Sequence, residues 1–349
     1  MDLKQKQFKI GTVELAHPFL MAPLAGITDS TFRLLCSQQG AALTYSEMIS
    51  AKGLVYGDRG SAELLRMDPG EGLCSCQLFG SEEEFIRKAV QKLSERERDF
   101  LTGVPGAPLG HSLIDINMGC PVPKVVKGGE GSALMKDPWN AAALVRAAVR
   151  AEQEEAEEQE RLPRPVTVKC RIGWDEPVRE TVLDFAPRMQ EAGAAAIGVH
   201  GRTREQFYSG KSDWELVARV KERITVPLIG SGDLFSAQDA VDHLRAGHCD
   251  MVMFARGALG NPWIFRQSLD LWEGRPMFEP DGEERRAMML QHLDLAVAEK
   301  GERRAVREMR KNWGWYMKGL PGAAQLRRRV CEEESAMGLR NLLETIDFT

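Results

Sequence analysis

Cys120 stands between Gly119 and Pro121, directly after the apolar run Leu113-Ile114-Asp115-Ile116-Asn117. Glycine and proline stop a helix and favour an extended turn, so this spacing predicts a thiol presented at the exit of a buried strand. A free cysteine is more often a small buried hydrophobe. One placed in such a turn, beside a charged loop, would gain little as a core residue, and Cys120 therefore reads as a chemical group. Lys124 and Lys127 follow it among Gly128, Gly129 and Gly131, a composition that suits a mobile basic loop acting as a catalytic lid.

The elements that must position this thiol are short apolar or β-rich runs. They are Phe19 to Pro23, Leu43 to Glu47, Cys74 to Leu78, Leu113 to Asn117, Val166 to Arg171, Ala196 to His200, Pro227 to Gly230, and Met251 to Phe254. Amphipathic stretches such as Glu82 to Arg96, Asn140 to Glu160 and Ala237 to Ala246 lie between them. Strand and helix alternating in this way predict an α/β protein, a (β/α)8 TIM barrel, followed by a small C-terminal helical domain. A doubly wound open sheet is the alternative, but no GxGxxG sequence follows an early strand. The domain boundary falls where the alternation stops, giving a catalytic barrel over 1–278 and helices over 279–349.

Active sites of such barrels collect at the C-terminal ends of the strands. Those ends carry Ala22-Pro23, Glu47, Gln77, Asn117 with Cys120, Lys169 with Arg171, His200, Ser231-Gly232-Asp233 and Arg256-Gly257. Singly, Lys169 could be an ion-pair partner, His200 a satisfied core histidine and Gln77 a layer-filling amide. Their shared position at one barrel face shifts the balance towards chemistry. Gly230 to Asp233 and Ala255 to Ala258 fit the barrel's usual phosphate corner, where backbone N–H groups and an arginine hold a phosphate. Together with Gln77, Asn117 and Lys169 they point to flavin mononucleotide (FMN), with Lys169 near the pyrimidine edge of the ring, where a cation stabilises the anionic reduced flavin.

Composition sets the rest of the frame. The net charge of −5 gives no general reason to expect nucleic acid, and 43% hydrophobic content supports a substantial core. The seven cysteines match neither a disulfide ladder nor a zinc-binding spacing, so no metal is expected. No apolar signal core follows the N-terminus, and no run approaches the ~20 residues of a membrane span; a cytoplasmic protein is the expectation. Two compositionally distinct stretches, Thr102 to Gly110 and Glu152 to Glu160, read as a surface loop and a solvated helix extension.

The tail departs from the acidic average. Residues 300–330 hold ten basic residues (Lys300, Arg303, Arg304, Arg307, Arg310, Lys311, Lys318, Arg327, Arg328, Arg329) and two acidic ones (Glu302, Glu308), a local net of +8. At about 100° per residue, Arg303, Arg307, Arg310 and Lys311 share one face, beside an apolar stripe of Val306, Met309, Trp313 and Tyr316. A basic run is usually only a solvated face; beside a flavin barrel it reads as a platform for a phosphate backbone.

Several motifs, in order along residues 8 to 345, are similar to the tRNA-dihydrouridine synthases, in particular the bacterial B-type branch. They include Met21-Ala22-Pro23-Leu24-Ala25-Gly26-Ile27-Thr28-Asp29, Gln77-Leu78-Phe79-Gly80, Asp115-Ile116-Asn117-Met118-Gly119-Cys120-Pro121, Val168-Lys169-Cys170-Arg171, Val199-His200-Gly201-Arg202-Thr203 and Arg256-Gly257-Ala258-Leu259-Gly260-Asn261-Pro262-Trp263. The resemblance implies FMN contacts at Pro23, Leu24, Ala25, Gln77, Lys169, His200, Ser231, Gly232, Asp233, Ala255 and Arg256. It implies a proton donor at Cys120 and Asn117 lining both the flavin and uracil sites. Substrate contacts are expected at Asn117, Lys124, Arg171, Arg303, Arg307 and Arg310. Leu24, Ser231 and Ala255 depart from the family's usual Met, Asn and Gly.

The implied reaction reduces the C5=C6 bond of uridines in tRNA, with NADPH or NADH as the reductant of the flavin and no protein partner or membrane implied. Hydride addition at C6 leaves enolate-like charge on C5 and O4, and a thiol near C5 on the side opposite the flavin can supply the proton. Nearby cations should lower that thiol's pKa. Two other readings remain open. A flavin oxidoreductase acting on a free small molecule fits the barrel but not the basic tail, whereas a non-catalytic RNA-binding protein fits the tail but not Cys120 with Lys169.

Overall fold

The computed structural model describes residues 7–101 and 110–346, so the stretch expected to be a surface loop at 102–110 lies almost wholly outside the described residues. The strands in chain order are β1 (Phe8–Ile10), β2 (Val13–Leu15), β3 (Phe19–Met21), β4 (Thr44–Tyr45), β5 (Ile49–Ser50), β6 (Cys74–Phe79), β7 (Leu113–Met118), β8 (Val166–Arg171), β9 (Ile197–His200), β10 (Leu228–Ser231) and β11 (Met251–Phe254). From β3 onward neighbouring strands pair in parallel, in the order β3-β11-β10-β9-β8-β7-β6-β4, with β5 also on β6. The ends of that path meet. Leu20 bridges Leu43, Ala42 N donates to Phe19 O at 3.0 Å and Met21 N donates to Leu43 O at 2.9 Å. The expected TIM barrel therefore closes, with an additional antiparallel hairpin, β1 and β2, in front of it.

Two apolar layers hold the barrel. Phe8, Ile10 and Leu15 of the hairpin pack with Leu20, Leu43, Leu113, Ile229 and Met251, filling the interior at the N-terminal end. Outward-facing side chains such as Ile116, Val168, Val199 and Phe254 pack against the surrounding helices. Strands buried on both faces read as near-continuous apolar runs, which is why these runs were visible in the sequence.

The helices are α1 (Ser30–Gln38), α2 (Ala51–Val55), α3 (Arg59–Glu63), α4 (Glu83–Leu101), α5 (Pro123–Val126), α6 (Pro138–Glu158), α7 (Val182–Glu191), α8 (Trp214–Lys221), α9 (Ala237–Arg245), α10 (Ile264–Trp272), α11 (Gly282–Lys300), α12 (Glu302–Tyr316), α13 (Ala323–Glu332) and α14 (Ala336–Glu344). The last four enclose their own core, in which Met289, Leu293, Met309, Trp313 and Leu339 meet Leu35 of α1 and Trp263. The apolar stripe expected on α12 is buried there. Docking onto the barrel adds polar contacts: Thr31 Oγ1 donates to Glu299 at 2.6 Å, Lys300 bridges Asp29 at 2.5 Å, and Arg304 pairs with Glu63 at 3.0 Å.

One expectation fails in this part of the fold. The glutamate-rich end of α6 is not simply solvated, because Glu152 is 1% exposed and holds Arg161 at 2.5 Å and Arg164 at 2.6 Å. Burial alone would raise its pKa, but the two arginines override this and hold it below the usual carboxylate range.

Candidate active site

The strand ends open into a cleft of about 320 Å³. Pro23, Leu24, Ala25, Gln77, Asn117, Cys120, Lys169, Arg171, His200, Ser231, Gly232, Asp233, Ala255 and Arg256 all line it. Strand register explains the convergence: Asn117 pairs with Lys169, and Arg171 with His200, which in turn pairs with Ser231. A somewhat larger cavity, about 370 Å³, lies between α1 and α11 and is lined by Leu34, Met67, Leu93 and Leu295. It shares no residue with the cleft and holds none of the converging strand-end groups.

The Cys120 turn is fastened on every side. Asn117 Oδ1 accepts from Gly119 N at 3.1 Å and from Cys120 N at 2.9 Å. Cys120 O accepts from Ser132 N at 3.1 Å and from Ser132 Oγ at 2.9 Å, while Gly119 O accepts from Arg171 Nε at 2.8 Å. The segment expected to be a mobile lid is consequently an anchored one. It forms α5, a turn, and a 3-10 helix at Gly131–Lys136 whose Ser132 holds the cysteine carbonyl. Gly131 has φ of +60°, and a Cβ there would stand 2.8 Å from Cys120 O. That glycine serves close approach rather than motion.

Electrostatics also differ from the expectation. Burial pushes the Cys120 thiol above its usual pKa, outweighing the Val122 N–H and the charges of Arg171 and Lys169. The thiol is therefore neutral at pH 7, the form that can give a proton. His200 is held well below its usual value by burial and then by Arg171 and Lys169, so it is an uncharged imidazole and the positive charge beside it belongs to those two residues; burial also lowers the Lys169 pKa.

In the turn after β10, Gly232 has φ of +120°, and a Cβ there would meet Ser212 Oγ at 2.2 Å and His200 Cδ2 at 2.8 Å. Only glycine lets the chain pass so close. Asp233 uses its carboxylate internally, accepting from Arg202 at 2.7 Å, Ser212 N at 2.8 Å and Arg256 at 3.3 Å. It neutralises and aims Arg256, which also lies over Tyr208 at 4.7 Å and Phe235 at 5.0 Å.

Of the expected substrate contacts Arg171 and Lys124, only the first lies in the cleft wall. Arg171 lines the cleft, but its guanidinium also donates to Thr203 O at 2.8 Å and Phe207 O at 3.1 Å, bracing the turn against the loop after β9. Lys124 is exposed on α5 and is not part of the cleft wall. Arg303, Arg307 and Arg310 are exposed on α12, whereas Lys311, expected on the same face, donates to Gly26 O at the loop after β3.

Sequence reasoning missed Met48, Phe207, Tyr208 and Phe235 on the cleft wall, and Asp115 beneath it. Adjacent aromatics in a polar loop, and a carboxylate inside an apolar strand, were the available signals. Among the described residues no cluster of His, Cys, Asp and Glu forms a metal site, and no helix is long and apolar enough to cross a membrane.

A family model described as "Dihydrouridine synthase (Dus)" matches residues 20–348. The chain belongs to the dihydrouridine synthase family. It is 35% identical over 341 residues to a protein of Synechocystis named "Probable tRNA-dihydrouridine synthase 1", covering 97% of this chain and 89% of the relative. It is 37% identical to a "Probable tRNA-dihydrouridine synthase" of Rickettsia bellii, covering 92% of each. It is also 34% identical to "tRNA-dihydrouridine synthase B" of Pseudomonas aeruginosa, covering 91% of this chain and 89% of that one. Among solved structures, histamine dehydrogenase from a Rhizobium species superposes with a TM-score of 0.56 at 13% identity, over 84% of this chain and 51% of that longer one. At that identity the likeness speaks for the barrel alone.

Proposed function

We propose that this dihydrouridine synthase family member reduces the C5=C6 bond of uridines in tRNA to 5,6-dihydrouridine, with Cys120 as the proton donor to C5. The observation that carries the reading is a thiol, hydrogen-bonded into a turn, in the same cleft as Asn117, Lys169, His200 and Arg256, where burial favours its protonated form.

The residues present fit FMN. Arg256 and the glycine-tight turn at Ser231 to Asp233 would take the phosphate, while Gln77, Asn117 and Lys169 would face the ring. Bound FMN, reduced by NADPH or NADH, supplies the hydride for C6 of uracil. The protein's own residues do the rest. Pro23, Leu24 and Ala25 shape one wall, and Gly26 beside them is secured by Glu47 and Lys311. Lys169 offers positive charge to the electron-rich ring, and the neutral His200 offers a hydrogen bond without competing for the proton. Cys120 holds its proton until charge develops at C5.

Substrate capture falls to helices α11 to α14 as an RNA-facing unit. Lys300, Arg304 and Lys311 are engaged with the barrel or with Glu308. Arg303, Arg307 and Arg310, at a spacing that keeps them on one helical face, make no side-chain pair among the described residues and remain open to phosphates.

The test is direct. The purified protein should be yellow, bleach with NADPH or NADH, and regain colour on adding unmodified tRNA but not free uridine. A colourless protein that cannot be reconstituted with FMN, or reduced protein indifferent to tRNA, would overturn the reading.

A further inference from the structure

Gly119 N and Cys120 N are backbone donors and nothing else, so the Asn117 side chain must turn its oxygen towards them, as it does at 3.1 and 2.9 Å. Its nitrogen then has to donate, and Asn117 Nδ2 donates to Gln77 Oε1 at 2.8 Å. With its oxygen taken, Gln77 presents Nε2 to the next partner, which must be an acceptor. That partner is Asp115 Oδ2, at 2.7 Å. The other carboxylate oxygen, Oδ1, accepts from Thr167 Oγ1 at 2.6 Å. Register dictates the row, since Gln77 pairs with Asp115 across β6 and β7, and Asp115 with Thr167 across β7 and β8.

We propose that Asp115 is a positioning residue of the reaction: as the terminal acceptor it fixes the donor–acceptor direction of two buried amides, and so holds the turn that aims Cys120. The inference rests on the function proposed above and deepens it, because it assigns the origin of the thiol's placement. Asp115 is 1% and Gln77 1% exposed, and Asn117 is 8% exposed, so water offers them little alternative partnership. An unsatisfied amide in that place would be costly. If Asp115 offers no acceptor, Gln77 Nε2 is left unpaired and the amide loses the partner that fixes which way it faces; its flipped orientation sets nitrogen against nitrogen at Asn117 and frees the two backbone donors. Burial lifts the carboxyl to about 6, against the Gln77 and Thr167 hydrogen bonds and the Lys169 charge, so near neutral pH the acceptor form prevails.

Amide chemistry supplies a discriminating variant. In Asp115→Asn the new oxygen can still accept from Gln77 while the new nitrogen donates to Thr167 Oγ1, whose hydroxyl can serve in either sense. The direction of the chain survives. In Asp115→Ala no acceptor remains, and in Asp115→Ser the oxygen is too short to reach Gln77; the serine variant replaces alanine if alanine does not accumulate folded.

The experiment measures iodoacetamide modification of Cys120, located by peptide mass mapping because Cys331 is also partly exposed, alongside tRNA-driven reoxidation of the reduced holoenzyme. Asp115→Ala or Asp115→Ser should alkylate at Cys120 several-fold faster, because loosening the turn relieves the burial that keeps the thiol protonated. Reoxidation by tRNA should fall in the same variants. Asp115→Asn should stay near wild type in both. Glu152→Ala, which breaks the buried clamp on Arg161 and Arg164, is the control for lowered stability alone and should leave Cys120 alkylation unchanged. Wild-type behaviour of the alanine or serine variant, equal impairment of Asp115→Asn, or faster Cys120 alkylation in the control would each overturn the proposal. If Cys120→Ala reoxidises at the wild-type rate, the proton-donor assignment fails instead, and the alkylation arm still reads the amide chain.

Discussion

The cysteine turn and the outer face of α12 are built on opposite plans. Around Cys120 the backbone partners are specified: Gly119 and Cys120 donate to Asn117, and their carbonyls accept from Arg171 and Ser132. On α12, Arg303, Arg307 and Arg310 are exposed and make no side-chain pair among the described residues. A proton transfer depends on tenths of an ångström, so its scaffold must be over-determined. Attraction to a phosphate backbone depends on how many charges approach it, and flexible, solvated side chains suffice. The same helix shows the division at close range, because its Arg304 is already committed to Glu63 and Glu308.

If that contrast is right, single substitutions should act very unequally. Cys120→Ala should bind FMN and accept hydride from NADPH at near-normal rates, yet reoxidise with tRNA about 10²–10⁴-fold more slowly, the usual worth of a positioned proton-transfer group. Stopped-flow absorbance separates the two half-reactions, and a wild-type reoxidation rate would return Cys120 to the role of a packing residue.

A smaller effect is expected at the phosphate corner. Arg256→Ala should weaken FMN retention by about 1.5–3 kcal/mol, the range for hydrogen bonds to a charged group, measured by flavin release on dilution. It should leave the tRNA affinity of reconstituted protein nearly unchanged.

Acid provides a test of the scaffold common to both regions. Burial holds His17 and His292 down to about 4 from 6.5, so the folded chain keeps them neutral while the unfolded chain protonates them. Their stabilising contribution is complete above pH 6.5 and is lost as pH falls towards 4, up to about 3 kcal/mol for each. His292 stacks on Phe32 at 5.9 Å and meets Tyr316 OH at 3.0 Å, so His292→Phe should flatten part of the acid dependence in thermal melts. An unchanged slope between pH 6.5 and 4 would contradict the assignment.

The gentlest prediction concerns α12. Replacing Arg303, Arg307 and Arg310 together should weaken tRNA binding and reduce the steepness of its salt dependence by about 0.7–0.9 for each phosphate no longer neutralised, while reduction by NADPH is unaffected. Each single replacement should do little. An unchanged slope in the triple variant would show that the face is merely solvated.

Much of this protein was legible along the chain because it is written in short-range pattern. Apolar runs at Leu113 to Asn117 and Val166 to Arg171 had to be strands covered on both faces, and a barrel of such strands had to gather Gln77, Lys169, His200 and Arg256 at one end. The apolar stripe of α12, from Val306 to Tyr316, followed from helical period alone. What the sequence could not determine depends on which groups from distant segments meet out of water. Asp115 looked like one polar residue in an apolar run until register set it between Gln77 and Thr167. The Cys120 thiol was expected to be acidified by its cationic neighbours, but desolvation by the surrounding turn outweighs them. Glycines at 129 and 131 suggested mobility, and Gly131 instead allows the chain to pass against Cys120. Lys311 shared a helical face with three arginines in the sequence, and only docking onto the barrel drew it to Gly26. Periodicity is a property of the local chain, whereas desolvation and donor–acceptor pairing belong to neighbours that folding alone brings together.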